Sequence, residues 1–152
     1  MTGRTVALGS FTIERSYKSA PDKVFAALGN ATLRKKLFGV EEGSNAVYEL
    51  DFSVGGREYN VGPGPGGVQF VYDAQFRDIV PNERVVYSYE MQMGGKRLSV
   101  SVAAVELTPE GQGTRLKLTE TGVYFDGLDT SEQREAGTNY LFTTLGDLVA
   151  EA

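Results

Sequence analysis

Between Val47 and Leu118 the large apolar residues recur at every second position, in runs separated by Gly- and Pro-containing turns. Side chains two apart lie on one face of an extended chain, so this stretch buries its apolar side as successive antiparallel strands with a common inner face. The alternation predicts Tyr48, Leu50, Phe52 and Val54 inward and Glu49, Asp51 and Ser53 outward, then a hairpin turn at Gly55-Gly56 and a strand over Arg57–Val61. The run Gly62-Pro63-Gly64-Pro65-Gly66-Gly67 has too few side chains to pack and reads as a connecting loop. Phe70, Tyr72, Ala74 and Phe76 form the next inner row and Val85, Tyr87, Tyr89 and Met91 the one after. Leu98, Val100 and Val102 are expected to continue it before Leu116 and Leu118 close the series.

The flanks have a different period. Thr5 to Tyr17 reads as a half-buried strand around Phe11 and Ile13. Pro21 suits a first helical position and Asp22 complements the helix dipole; Val24, Phe25 and Leu28 then form one apolar face that stops near Gly29-Asn30. A second short helix is predicted from Thr32 to Phe38. Ser131 to Ala150 has helical spacing, with Tyr140, Leu141, Thr144, Leu145 and Leu148 on one side and capping-box spacing between Thr130 and Gln133. Burying about five such side chains, at roughly 1.5–3 kcal/mol each, makes this helix part of the core. No repeat, linker or shift in composition divides the chain, so residues 1–152 are expected to form one domain. The expected fold is α+β: a curved antiparallel β-sheet wrapped around a long C-terminal α-helix, with two short helices after the first strand.

Composition removes several kinds of chemistry. The 152 residues contain no Cys, His or Trp, which excludes thiolate nucleophiles, imidazole bases and the usual soft metal ligands, so no metal or cofactor is expected. A net charge of -5 opposes attraction to phosphate backbones and sets nucleic acid aside. No apolar run has the length of a membrane span or a signal peptide, and a cytoplasmic location is expected. Oligomeric state is not readable. Gly62, Gly64 and Gly67 match GxGxxG, but a strand follows them where a dinucleotide site requires a helix. Asn30-Ala31-Thr32 matches a glycosylation acceptor, and helix termination explains it better.

Phe52, Tyr59, Phe70, Tyr72, Phe76, Tyr87, Tyr89 and Tyr140 are all assigned to one interior by alternation or helical phase. A buried phenol needs a hydrogen-bond partner, so inward tyrosines imply internal bonds or a cavity holding water or the polar end of a ligand; a solid aromatic core is the competing reading. Glu49 and Asp51 share a strand face that is expected to point to solvent. Alternation points Glu120 inward, where it would have a raised pKa, although Glu is seldom buried and exposure at a strand end is the commoner outcome.

The order of elements and several segments resemble the START-like, or SRPBCC, superfamily. Within it the chain is similar to the family of homologues of the activator of heat-shock protein 90 ATPase, in its C-terminal-domain type. The residues carrying the resemblance are Ile13-Glu14-Arg15, Ala20-Pro21, Val24-Phe25, Asp51 to Arg57, Tyr72, Phe76 to Pro81, Glu83 to Tyr87, Ser99 to Glu106, Gly113 to Leu116, Leu118 to Glu120, and Arg134 to Gly137 with Leu145 and Leu148. Phe25 and Leu37-Phe38 stand where many members carry Trp. The resemblance implies a helix-grip domain that binds a small, largely apolar or amphipathic molecule between sheet and helix, a binding protein rather than an enzyme. Tyr72, Tyr87, Tyr89 and Tyr140 would orient the ligand's polar end. Phe52, Phe70, Phe76, Met91, Val100, Leu141, Thr144 and Leu145 would supply the walls, with Tyr59 beside them. An alternative is a cavity enzyme of cyclase, dehydratase or hydrolase type using Glu120, Arg57 and a Tyr. A further alternative is a protein-interaction or chaperone-associated domain, although the separate N-terminal chaperone-binding domain of the eukaryotic activators has no counterpart here.

Overall fold

The computed structural model describes residues 3–40 and 45–151. Strand β1 (Val6–Tyr17) leads into the short helices α1 (Pro21–Leu28) and α2 (Ala31–Leu37). Then come β2 (Val47–Leu50), β3 (Arg57–Pro63), β4 (Gln69–Val80), β5 (Arg84–Met93), β6 (Lys96–Glu110) and β7 (Gly113–Phe125), and the long helix α3 (Ser131–Glu151) closes the chain. The strands form one antiparallel sheet in the order β1-β7-β6-β5-β4-β3-β2, a meander whose last strand pairs with the first. The sheet curves around α3, which makes this the helix-grip fold expected from the sequence. Among the described residues no helix is long and apolar enough to cross a membrane.

Local chemistry sets the helix starts. Pro21 occupies the first turn of α1, Asn30 caps α2 by accepting the Leu33 N–H at 3.0 Å, and Thr130 Oγ1 accepts the Gln133 N–H of α3 at 3.1 Å. The Thr130 N–H is taken by Asp129 at 2.7 Å rather than by Gln133, so only half of the expected capping box forms. Helix α3 lies close on β1. Arg15 donates to Thr143 Oγ1 and to the Asn139 backbone and side chain, and Tyr17 donates to the Phe142 carbonyl at 2.8 Å. A methyl group on Gly9 would overlap Ser131 Cβ, and one on Gly146 would press on Tyr17 Cε1 at 3.0 Å, so both ends of the helix sit where a glycine lets them approach.

The core joins Phe11 and Ile13 of β1, Val24 and Leu28 of α1, Phe76, Val105, Leu107, Leu116 and Leu118 of the sheet, and Phe142, Leu145 and Val149 of α3. Three expected orientations are corrected by the pairing. In β6 the inner row is Ser99, Ser101, Ala103, Val105 and Leu107, and Val100 is 44 % exposed with Val102 beside it on the outer face. Antiparallel partners share a face, and Val105 and Leu107 pair with the inward Leu118 and Leu116, which fixes the parity of the whole strand. In β3, Glu58 and Asn60 pair with Ala74 and Tyr72 and point inward, leaving Tyr59 on the outer face with Arg57. In α3, Phe142 faces the sheet, and Tyr140, roughly 200° away around the helix, is 74 % exposed.

Two loops also differ from expectation. The strand predicted through Val54 ends at Leu50; Phe52 still turns inward from the following loop, whereas Val54 is exposed. Gly62 and Pro63 belong to β3, and the remainder of the Gly-Pro run makes a single 3-10 turn over Pro65–Gly67, with Gly66 and Gly67 at φ values of 69° and 77°.

Candidate functional site

An aromatic row crosses the inner face of the sheet. Phe25 meets Phe52 at 5.6 Å between ring centroids, Phe52 meets Phe76 at 5.0 Å, and Phe76 meets Tyr87 at 6.4 Å. Tyr87, Tyr89, Tyr72 and Phe38 continue it at 6.0, 5.1 and 5.0 Å. The Phe52 and Phe76 end is packed solid. At the Tyr and Phe38 end, α3 stands off the sheet and leaves a cavity of about 70 Å³, room for a few waters or a small head group. Its walls include Arg34, Leu37 and Phe38 of α2, Tyr72, Tyr87, Tyr89 and Glu120 of the sheet, and Thr138, Leu141 and Phe142 of α3. A more open hollow of about 320 Å³ adjoins it, sharing Phe38, Tyr72, Tyr89, Thr138 and Leu141 and adding Phe70, Met91, Asp129, Gln133, Arg134 and Gly137.

Two arginine–carboxylate clusters flank the cavity. Arg34 and Glu58 are both buried and joined by two hydrogen bonds: Nε to Oε2, and Nη2 to Oε1 at 2.6 Å. Nη1 donates to the Leu28 carbonyl at 2.9 Å, and the Tyr48 hydroxyl donates to Glu58 Oε2 at 2.5 Å. Burial works against the Arg34 charge, and Glu58 more than restores it. In the second cluster Arg134 Nη2 donates to Asp129 Oδ2 at 2.6 Å and to Ser99 Oγ at 2.9 Å, while Nη1 donates to the Tyr89 hydroxyl at 3.0 Å. Tyr89 in turn donates to Glu120 Oε2 at 2.7 Å. Glu120 is 1 % exposed, and burial raises its carboxyl above the usual range against the opposing pull of Tyr89 and Arg134. Burial likewise holds the phenols of Tyr72, Tyr87 and Tyr89 in their protonated, donating form, well above the ordinary tyrosine value.

The structure gathers some of the sequence-predicted residues here and scatters others. Tyr72, Tyr87, Tyr89, Leu141 and Glu120 line the inner cavity, and Phe70 and Met91 line the outer hollow. Phe52, Phe76 and Leu145 belong to the packed core, and Thr144 spends its hydroxyl on the Tyr140 carbonyl at 3.1 Å. Val100 and Tyr140 face solvent and reach neither space. Arg57 also lies outside, stacked 3.9 Å from the Tyr59 ring centroid and paired with Asp73 at 2.8 Å, so neither residue meets the cavity.

Arg34, Glu58, Arg134 and Asp129 were not among the expected site residues, because charged side chains are seldom buried. Their placement has a signal in the chain all the same. Glu58 has the parity of Asn60, which faces Tyr72, and Arg134, Thr138, Leu141 and Leu145 recur at spacings of four, three and four along one helical face.

The fold and pocket define a helix-grip protein with an aromatic cavity flanked by buried arginine–carboxylate clusters. The chain belongs to the family described as Activator of Hsp90 ATPase homolog 1-like protein, whose family model matches residues 18–150. Among solved structures it is similar to the Mll3558 protein from Rhizobium loti, at 43 % identity and a TM-score of 0.87 over 94 % of this chain and 98 % of that one. It is also similar to a protein from Rhizobium leguminosarum, at 33 % identity and a TM-score of 0.91 over 99 % and 100 % of the two chains. A protein from Chromobacterium violaceum, 21 % identical with a TM-score of 0.76 over 92 % of this chain and 96 % of that one, shares the fold. No curated protein matches the chain with significant similarity.

Proposed function

We propose that the chain acts as a single domain over residues 1–152 that binds a small, largely apolar or amphipathic molecule between the sheet and α3. One observation carries this reading: the 70 Å³ cavity and the 320 Å³ hollow share Phe38, Tyr72, Tyr89, Thr138 and Leu141, so a largely apolar hollow, with Asp129, Gln133 and Arg134 also on its walls, leads to an inner cavity that holds Glu120. Phe38, Phe70, Met91 and Leu141 would hold the apolar body, and Tyr72, Tyr87 and Glu120 the leading end. Nothing in this geometry requires the chaperone ATPase of the family's description as a partner.

Native mass spectrometry of freshly purified protein, with and without denaturation, tests the reading alongside a Leu141→Trp variant that fills the shared wall. The expected result is a discrete small-molecule adduct, lost on denaturation and missing from the variant. A parent protein free of any adduct that also fails to take up an apolar fluorescent probe would count against it.

A further inference from the structure

The clusters around the cavity do not balance in charge. Arg34 is committed to Glu58 and the Leu28 carbonyl, and Arg134 is committed to Asp129, Ser99 and Tyr89. Glu120 is the third carboxylate beside two guanidinium groups, and only Tyr89 donates to it, at Oε2. Among the described residues no protein donor reaches Glu120 Oε1, and the hydroxyls of Tyr72 and Tyr87 have no protein partner. All three residues line the 70 Å³ cavity. A buried acceptor with an open lone pair beside two neutral hydroxyls is complementary to a group that donates hydrogen bonds and carries positive charge. The approach, past Phe38, Phe70, Met91 and Leu141, is largely apolar, with Asp129, Gln133 and Arg134 also on its walls and the two charges paired with each other.

Resting on the ligand-binding reading above, we infer that the pocket selects an apolar amine: a protonated primary amine entering first and donating to Glu120 Oε1 and the Tyr72 and Tyr87 oxygens, with its hydrocarbon tail in the outer hollow. A carboxylate of the same shape would place a second negative charge beside Glu120 while both arginines are already occupied, so fatty acids are discriminated against. The groups facing Glu120 are Tyr87, Tyr89, Tyr124 and Arg134. The phenols and the guanidinium keep their charge state as pH falls below neutral, so protonation of Glu120 is what weakens amine binding, because the ammonium then meets a neutral acid.

Isothermal titration calorimetry of the full chain with octylamine, 1-octanol and octanoate at neutral pH decides the matter. Octylamine is expected to bind at least roughly tenfold more tightly than the other two. Glu120→Gln should erase its advantage over octanol, and a thermal melt of that variant checks that it folds. The parent series is decisive even if it does not. Octanol or octanoate binding as tightly as octylamine overturns the amine assignment and leaves the cavity reading standing. If none of the three binds, both fall.

Discussion

Arg34 and Arg134 are both buried arginines bound to carboxylates, the first lining the inner cavity and the second the outer hollow, and the chemistry around them ends differently. Every bond from Arg34 terminates within the protein: Glu58 takes two, the Leu28 carbonyl takes the third, and Tyr48 adds a donor to Glu58. From Arg134 the bonds run through Tyr89 to Glu120 Oε2, and among the described residues no donor reaches the other carboxylate oxygen, Oε1. A saturated pair repays its desolvation only by fixing geometry, and Arg34 with Glu58 fixes α2 against β3. An unsaturated chain of bonds leaves recognition capacity at its far end, and here that end lines the cavity.

Substitutions that break one side and spare the other sharpen this contrast. The largest effect is expected from Glu58→Gln, which leaves the Arg34 guanidinium buried without its counter-charge; urea denaturation should show a loss of about 3–5 kcal/mol. Arg134→Met, on the more open side, should cost about 1.5–3 kcal/mol in the same assay, the range for hydrogen bonds to a charged group.

Glu120→Gln is expected to act through pH. Burial raises the folded-state pKa of Glu120, so above its unfolded value the native state holds the extra proton. The stability this contributes is complete at low pH and is lost as pH rises through the folded value. Urea midpoints measured from about pH 4 to 8 should therefore fall less steeply with rising pH in the variant than in the parent. The smallest effect belongs to residues outside both clusters: Tyr140→Ala and Val100→Thr should each stay within about 0.5 kcal/mol of the parent and leave ligand binding unchanged.

Periodicity made the architecture legible, since the inner rows of β4 and β5 follow from simple alternation; alternation also pointed Glu120 inward, but the rarity of buried Glu favoured exposure at a strand end, and the residue is in fact buried. Periodicity misled in β6 because Leu98, Val100 and Val102 alternate strictly with Ser99 and Ser101, the pattern of an inward apolar row. The outer row there carries the valines and the inner row Ser99 and Ser101. Only the longer register, through Val105 and Leu107 on one parity and Glu106 on the other, identifies the inner face. Half of the site was read from its aromatics. The charged half was not, because a buried arginine is recognised by its partner, and Arg34 and Glu58 are brought together by tertiary packing across 24 residues of sequence.

Strand β1 gives no side chain to either hollow, yet the clearance between helix and sheet is set there. Ser131 rests on Gly9 and Tyr17 on Gly146, so each end of α3 is seated at a height fixed by a missing methyl group. These two contacts act as the set screws of the cavity, setting its thickness from residues outside its lining. Two chains with identical pocket walls and different residues at these two places would accept molecules of different breadth.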